Sequence, residues 1–292
     1  LVENLVHRQN LNELAKKLDD LHPADVAYIL EALPPEDRIM VWDLVKAERD
    51  GEILIEVSDA VRESLIATMD NRELVAAAAT LDTDEIADLA ADLPKDVVQE
   101  LMESLDVAKR AQVESSLSYD DDSVGALMDY DFVTIRADVT LETALRYLRR
   151  LGDLPSHTDK LFVVDRDETL IGTLPLKRML VRDPEAHVAA VMSDDPVVFH
   201  PSDAATDAAQ AFERYDLVSA PIVDPKGKLV GRLTVDVVMD FIRAEAEADM
   251  LQAAGLREEE DLFSTVWKGA KNRWLWLGIN LCTALIASRV VG

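Results

Sequence analysis

The stretch LFVVDRDETLIGTLPLKRML, residues 161–180, returns 59 residues later as APIVDPKGKLVGRLTVDVVM, residues 220–239. Val164, Asp165, Gly172 and Leu174 match Val223, Asp224, Gly231 and Leu233. Both stretches begin with apolar and β-branched residues, break at a polar turn (DRDET, DPKGK) and resume, which is the pattern of a hairpin. Just upstream, GALMDYDFVTIRADVTLETALRYL (125–148) is repeated as AAVMSDDPVVFHPSDAATDAAQAF (189–212). Here Met128, Val133, Ala144 and Leu148 match Met192, Val197, Ala208 and Phe212 at an offset of 64. The first copy therefore carries five more residues, in the loop near 149–160. Each copy reads strand, helix, strand, turn, strand, helix, and two such units can share one core.

Outward to the N-terminus the pattern changes. Residues 1–118 contain a single glycine, Gly51, and their apolar residues recur at three- and four-residue spacing, which predicts helix almost throughout. The start, LVENLVHRQNLNELAKKL, reads as an amphipathic helix and not as a leader. LHPADVAYILEALPPED (21–37) matches LDTDEIADLAADLPKDV (81–97) at an offset of 60. Pro23 suits a first helical position, and Asp82 with Glu85 three residues on suits a helix start. Short helices stacked by their apolar faces predict a small superhelical, solenoid-like domain.

Composition limits the function. Acidic residues outnumber basic ones 57 to 30, for a net charge of -27. Such a chain repels phosphate backbones, so nucleic acid is excluded as a partner and a cation is favoured. Salt adaptation or solubility also produces acidity. The single cysteine, Cys282, excludes an internal disulfide. His7, His22, His157, His187 and His200 never pair at helical spacing, so no histidine metal motif is present. No phosphate loop or nucleophile elbow occurs, and an enzyme is not expected.

The chain closes on NRWLWLGINLCTALIASRVVG, in which Trp274–Ser288 carries no charge. By length alone this run is either a membrane span or a buried or interfacial helix. Trp274 and Trp276, preceded by Lys268, Lys271 and Arg273, suit the interface of a span whose N-terminal side faces the cytoplasm.

The paired units resemble CBS domains. A helical acidic domain before the pair and an Arg-Trp-Leu run after it resembles the MgtE family of magnesium channels over essentially the whole chain. The resemblance implies an α+β protein with an N domain at 1–118, CBS domains at 119–186 and 187–240, a connecting (plug) helix at 241–272, and the start of the first transmembrane helix at 273–292. It implies a cell-membrane protein, multi-pass at full length, with this region cytoplasmic. It also implies a homodimer through the CBS domains, attachment to the membrane through the C-terminal helix, and Mg2+ as the sensed ion.

Magnesium takes oxygen ligands and keeps several waters, so one or two carboxylates per ion suffice. Asp84 and Asp88 stand four residues apart and would share a helix face, which by spacing alone is most often a solvated acidic face. In the resemblance both match metal-binding aspartates, as do Asp216, Asp240, Glu245 and Asp249; Glu56 and Asp236 align more loosely. Three departures reduce the set: Val237 replaces an expected carboxylate, Ala248 stands where a second acid is found, and a Gly-Gly pair reads Gly125-Ala126. Val237 also removes the acid that would hold a ribose, and the first unit has Pro175 and Arg178 at the matching places. These departures weaken nucleotide binding; ATP stands as the alternative ligand because the resemblance includes relatives that bind it, in an adenine-nucleotide-sensing CBS module of another membrane transport protein.

Overall fold

The computed structural model describes residues 11–253. The fold is α+β: helices fill the N-terminal part, and two small sheets with their helices follow.

The helical part is built on a twelve-residue period. Helices α1 (Leu11–Asp20), α2 (Pro23–Glu31) and α3 (Pro35–Trp42) are followed by a 3-10 turn, Ala47–Arg49, running into α4 (Asp50–Glu56). Then come α5 (Asp59–Ile66), α6 (Asn71–Ala79), α7 (Thr83–Asp92), α8 (Lys95–Ser104) and α9 (Val107–Ser116). Every segment starts twelve residues after the one before. The 60-residue repeat seen in the sequence is five of these periods. The residue before each start is the cap: the His22 ring accepts from the Ala24 amide, Asp70 forms a full capping box with Glu73, and Asp106 accepts from two amides. At Asp82 the capping contact runs from its amide to Glu85. Near each end an aliphatic residue turns inward, and Leu33, Val57, Leu81, Leu93 and Leu105 are buried.

In six of the nine periods the fourth residue is buried. Leu14, Val26, Leu74 and Ile86 are aliphatic there, but Arg38 and Arg62 occupy the same position and are equally buried. Each guanidinium finishes the helix before it. Arg38 Nε donates to the Leu30 carbonyl at 2.9 Å, and Arg62 Nε to the Leu54 carbonyl at 2.9 Å. These are helix-end carbonyls that lack a partner within their own helix. Alternate helices pack on one another, α2 on α4, α4 on α6 and α6 on α8.

By contacts the chain divides into two units. The first holds residues 11–81, 88–104 and 244–253 of those described; the second holds 82–87 and 105–243. Helix α7 thus contributes its first turn to the second unit.

The second unit shows the internal repeat residue for residue. Strands β1 (Thr134–Arg136), β2 (Lys160–Val164) and β3 (Leu170–Pro175) form one sheet in that order, β1 parallel to β2 and β2 antiparallel to β3. Strands β4 (Ser219–Val223) and β5 (Leu229–Thr234) form the other. The first strand of the second copy is reduced to one parallel bridge, Phe199 to Ile222, matching Ile135 to Val163 in the first copy. Both hairpins have the same bulge, after Val163 and after Ile222. Asp165 and Asp224 fold the two turns alike, each accepting two amides, and Glu168 and Gly227 take the left-handed conformation at matching places. Helices α10 (Leu141–Leu151), α11 (Leu176–Val181) and α12 (Val188–Val191) belong to the first copy and the segment after it. The second copy carries α13 (Ala205–Tyr215) and α14 (Val235–Ala253), the latter starting directly after β5.

The two copies exchange their leading segments. Asp129, ahead of the first copy, bridges Arg232 on β5 of the second; Ser193, ahead of the second, bridges Thr173 on β3 of the first. Each crossing passes over a glycine. A Cβ on Gly172 would lie 2.5 Å from the Ser193 carbonyl oxygen, and one on Gly231 would collide with Met128.

Candidate cation site

The second unit contains a cavity of about 290 Å³. Its lining comes from three places: Asp82, Asp84 and Glu85 at the head of α7; Asp129, Asp131 and the loop residues Pro155–His157; and Arg232, Thr234, Asp236 and Val237, where β5 gives way to α14. Six of these side chains are carboxylates, and Arg232 is the one lysine or arginine among them.

Arg232 is buried and held at two points. Its Nε donates to Asp129 Oδ2 at 2.7 Å and its Nη2 to the Ser156 carbonyl at 2.8 Å. The two residues also exchange backbone hydrogen bonds, Asp129 N to Arg232 O at 2.9 Å and Arg232 N to Asp129 O at 2.8 Å. His157 follows Ser156 with φ +56°, and its Nε2 lies 3.3 Å from Asp236 Oδ2. The five-residue excess of the first copy, near 149–160, is thus pinned to the second copy at two points.

Charge in the cavity is poorly compensated. Burial raises the Asp84 carboxyl to about 7, and the neighbouring Asp129 charge pushes the same way. Burial also raises Asp129, against the pull of Arg232. Thr234 is only 2% exposed and lines the same wall. Hard oxygen donors with excess negative charge suit a hydrated divalent cation of the Mg2+ type. Among the described residues no three acidic, histidine or cysteine side chains are already drawn together around one ion position.

Residues 21–122 match the family model of the MgtE intracellular N domain, and residues 124–184 and 188–244 match the CBS domain. The chain carries an MgtE N domain and a tandem CBS pair. The magnesium transporter MgtE of Thermus thermophilus is 30% identical over 95% of this chain, and that of Bacillus subtilis 23% identical over 98%. The chain spans 63% and 64% of those relatives' lengths. Among solved structures, the soluble part of a magnesium transporter shares the fold with a TM-score of 0.70 at 24% identity, over 84% of this chain and 97% of that one. The cytosolic domain of the Mg2+ channel MgtE in complex with ATP matches at 28% identity and a TM-score of 0.57, over 79% of this chain and 99% of that one.

Of the carboxylates expected from the sequence, Asp84 on the MgtE N domain and Asp236 after the second CBS domain share the cavity. Asp88, one turn further along α7, is exposed and is not among the residues that line the cavity. Its Oδ2 sits 3.1 Å from Arg62 Nη1, beside Asp92 at 3.0 Å, so Arg62 already supplies it with a cation. Glu56 is exposed at the end of α4, and Asp216 is exposed as the left-handed cap of α13, φ +50°. Asp240 lies along α14, 3.5 Å from Arg243, and Glu245 is exposed further on. Asp249 lies on α14, but its side chain is outside the described set, as are residues 254–292 and with them the expected end of the connecting helix and the start of a span. Among the described residues no helix is long and apolar enough to cross a membrane. Sequence reasoning missed Asp82, Asp129, Asp131, His157, Arg232 and Thr234. Asp129 and Arg232 were marked in advance only by breaking the internal repeat, which has Ser193 and Thr173 in their places.

Proposed function

We propose that this region senses Mg2+ for an MgtE-like transporter or channel and closes its pore when the ion is abundant. The supporting observation is the cavity: six carboxylates and one guanidinium already paired with Asp129. Without a cation these carboxylates repel one another, at about 4 kcal/mol for unit charges 4 Å apart near a protein surface. A hydrated dication reverses the sign and draws the head of α7, Asp131 and Asp236 together. Asp236 lies in the first turn of α14, so the ion acts on the helix that leads towards the pore. The ion binds the gathered state more tightly and shifts the population towards it.

The test is protease protection of the chain across an Mg2+ titration. Protection should rise with the ion, and Asp84→Asn with Asp236→Asn should raise its midpoint about tenfold or more. Equal protection at all concentrations removes the reading.

The ATP complex of the MgtE cytosolic domain favours a second reading, in which adenine nucleotide is a co-ligand. Against it, Val237 lines the cavity where a ribose-binding acid is expected, and the carboxylates there repel phosphate. Calorimetry with ATP, with and without Mg2+, separates the two.

The region also works as a homodimer in this proposal. Each CBS copy exposes an apolar residue at the end of its first helix, Leu151 and Tyr215, and another on its second, Leu180 and Met239. These pairs are equivalent by the repeat, at offsets of 64 and 59. They give the pair two matching apolar patches, as a two-fold association requires. Leu180→Glu with Met239→Glu should leave a monomer by sedimentation; an unchanged species removes the dimer.

A further inference from the structure

Arg232 and Asp129 sit where the fold does not require a charge pair. The two CBS copies are joined by two equivalent crossings, and the other one is made by Thr173 and Ser193. That crossing closes with the same pair of backbone hydrogen bonds, Thr173 N to Ser193 O at 2.8 Å and Ser193 N to Thr173 O at 2.7 Å. The backbone therefore makes the exchange unaided. The guanidinium and the carboxylate are additional, and they occur on the side where the acidic cavity lies.

Burial leaves Arg232 no other employment. It is 3% exposed, and its bonds to Asp129 Oδ2 and the Ser156 carbonyl hold it at the cavity wall. The other carboxylates on that wall have no lysine or arginine among the lining residues. Thr234, two residues on, is 2% exposed and lines the same wall. An arginine cannot lose its proton, so its charge is constant over the physiological range.

We infer that Arg232 is a tethered cation that claims Asp129, withholds it from an incoming divalent ion, and so sets how weakly the cavity binds that ion. The inference rests on the cation reading of the cavity given above. Arg232 acts as a positioning and tuning residue: it lowers the net charge that attracts the ion and holds the Ser156–His157 turn in place.

The two halves of the salt bridge then act in opposite directions, which a purely structural pair would not do. The experiment is Mg2+ calorimetry on the 292-residue chain, with circular dichroism to verify folding. Arg232→Met, which frees Asp129, should tighten Mg2+ binding on the order of tenfold, and Asp129→Asn, which leaves the guanidinium uncompensated, should weaken it by a similar factor. The double variant should return close to the parent, and Arg232→Lys should stay within about twofold of it. Single variants that shift affinity the same way, or leave it unchanged, overturn the inference. If Arg232→Met does not fold, Asp129→Asn decides: unchanged or tighter binding overturns it. A parent that does not bind, beside an Arg232→Met that does, sinks the sensing reading and sustains the tuning role. No binding by the parent or by any variant removes both.

Discussion

Replacing Arg38 with alanine will lower the stability of the helical unit by about 4 kcal/mol, read as a shift of its urea transition. Arg38 is wholly buried, and it spans three acceptors: the Leu30 carbonyl at 2.9 Å, the Leu33 carbonyl at 3.2 Å and the Ser64 hydroxyl at 3.3 Å. Alanine leaves a cavity and takes donors away from buried helix-end carbonyls. The Leu30 carbonyl keeps only a 3.3 Å contact from the Leu33 amide. Lysine should recover less than half of the loss, because one ammonium cannot reach three acceptors held at the angles of a fork. A loss below about 1 kcal/mol would show that the neighbouring period closes over the site without help.

Between pH 4 and pH 7 the chain in chelator will lose stability as the pH rises, with Asp84 as the main source. An acid whose folded pKa lies above its unfolded one holds a proton that the unfolded chain releases. Its contribution is fully favourable below the unfolded value and is lost as pH climbs through the folded one. For Asp84 the folded value is about 7, from burial first and the Asp129 charge second, against an ordinary value of 3.8. Asp50, raised to about 6 by burial and by Glu73, adds in the same direction. Raised values at Asp92 and Asp129 add to it as well. Asp84→Asn should therefore melt with the parent at pH 4 and exceed it at pH 8 by about 2 kcal/mol, a figure reduced from the full shift for solvent screening. Magnesium at pH 8 should stabilise the parent more than the variant at the same concentration. Melts that rise in parallel with pH would contradict the Asp84 assignment.

The repeats were the most legible part of the chain. The CBS copies align at two offsets because each hairpin demands the same turn aspartate, the same glycine under the crossing and the same bulge. The helical repeat was legible only at 60 residues, since Val26, Ala27, Leu33 and Pro34 recur as Ile86, Ala87, Leu93 and Pro94. The twelve-residue unit beneath it is hidden because its inward position accepts leucine, valine, isoleucine or arginine. What recurs is a direction of the backbone and not a residue type. At the site, Asp84 and Asp236 were found through a resemblance, while their neighbours were not. Asp129 and Arg232 lie 103 residues apart and meet only because the leading segments cross over. Asp88 reads like Asp84 in any one-dimensional pattern, yet Arg62, two helices back on α5, holds it.

The crossing has an ancestral reading. Two separate polypeptides, each a single copy of the repeat, could close the same two bridges by trading their leading strands. Within one chain the two crossings need not be alike, so Asp129 with Arg232 can carry a charge pair at one of them that two identical copies would have to carry twice.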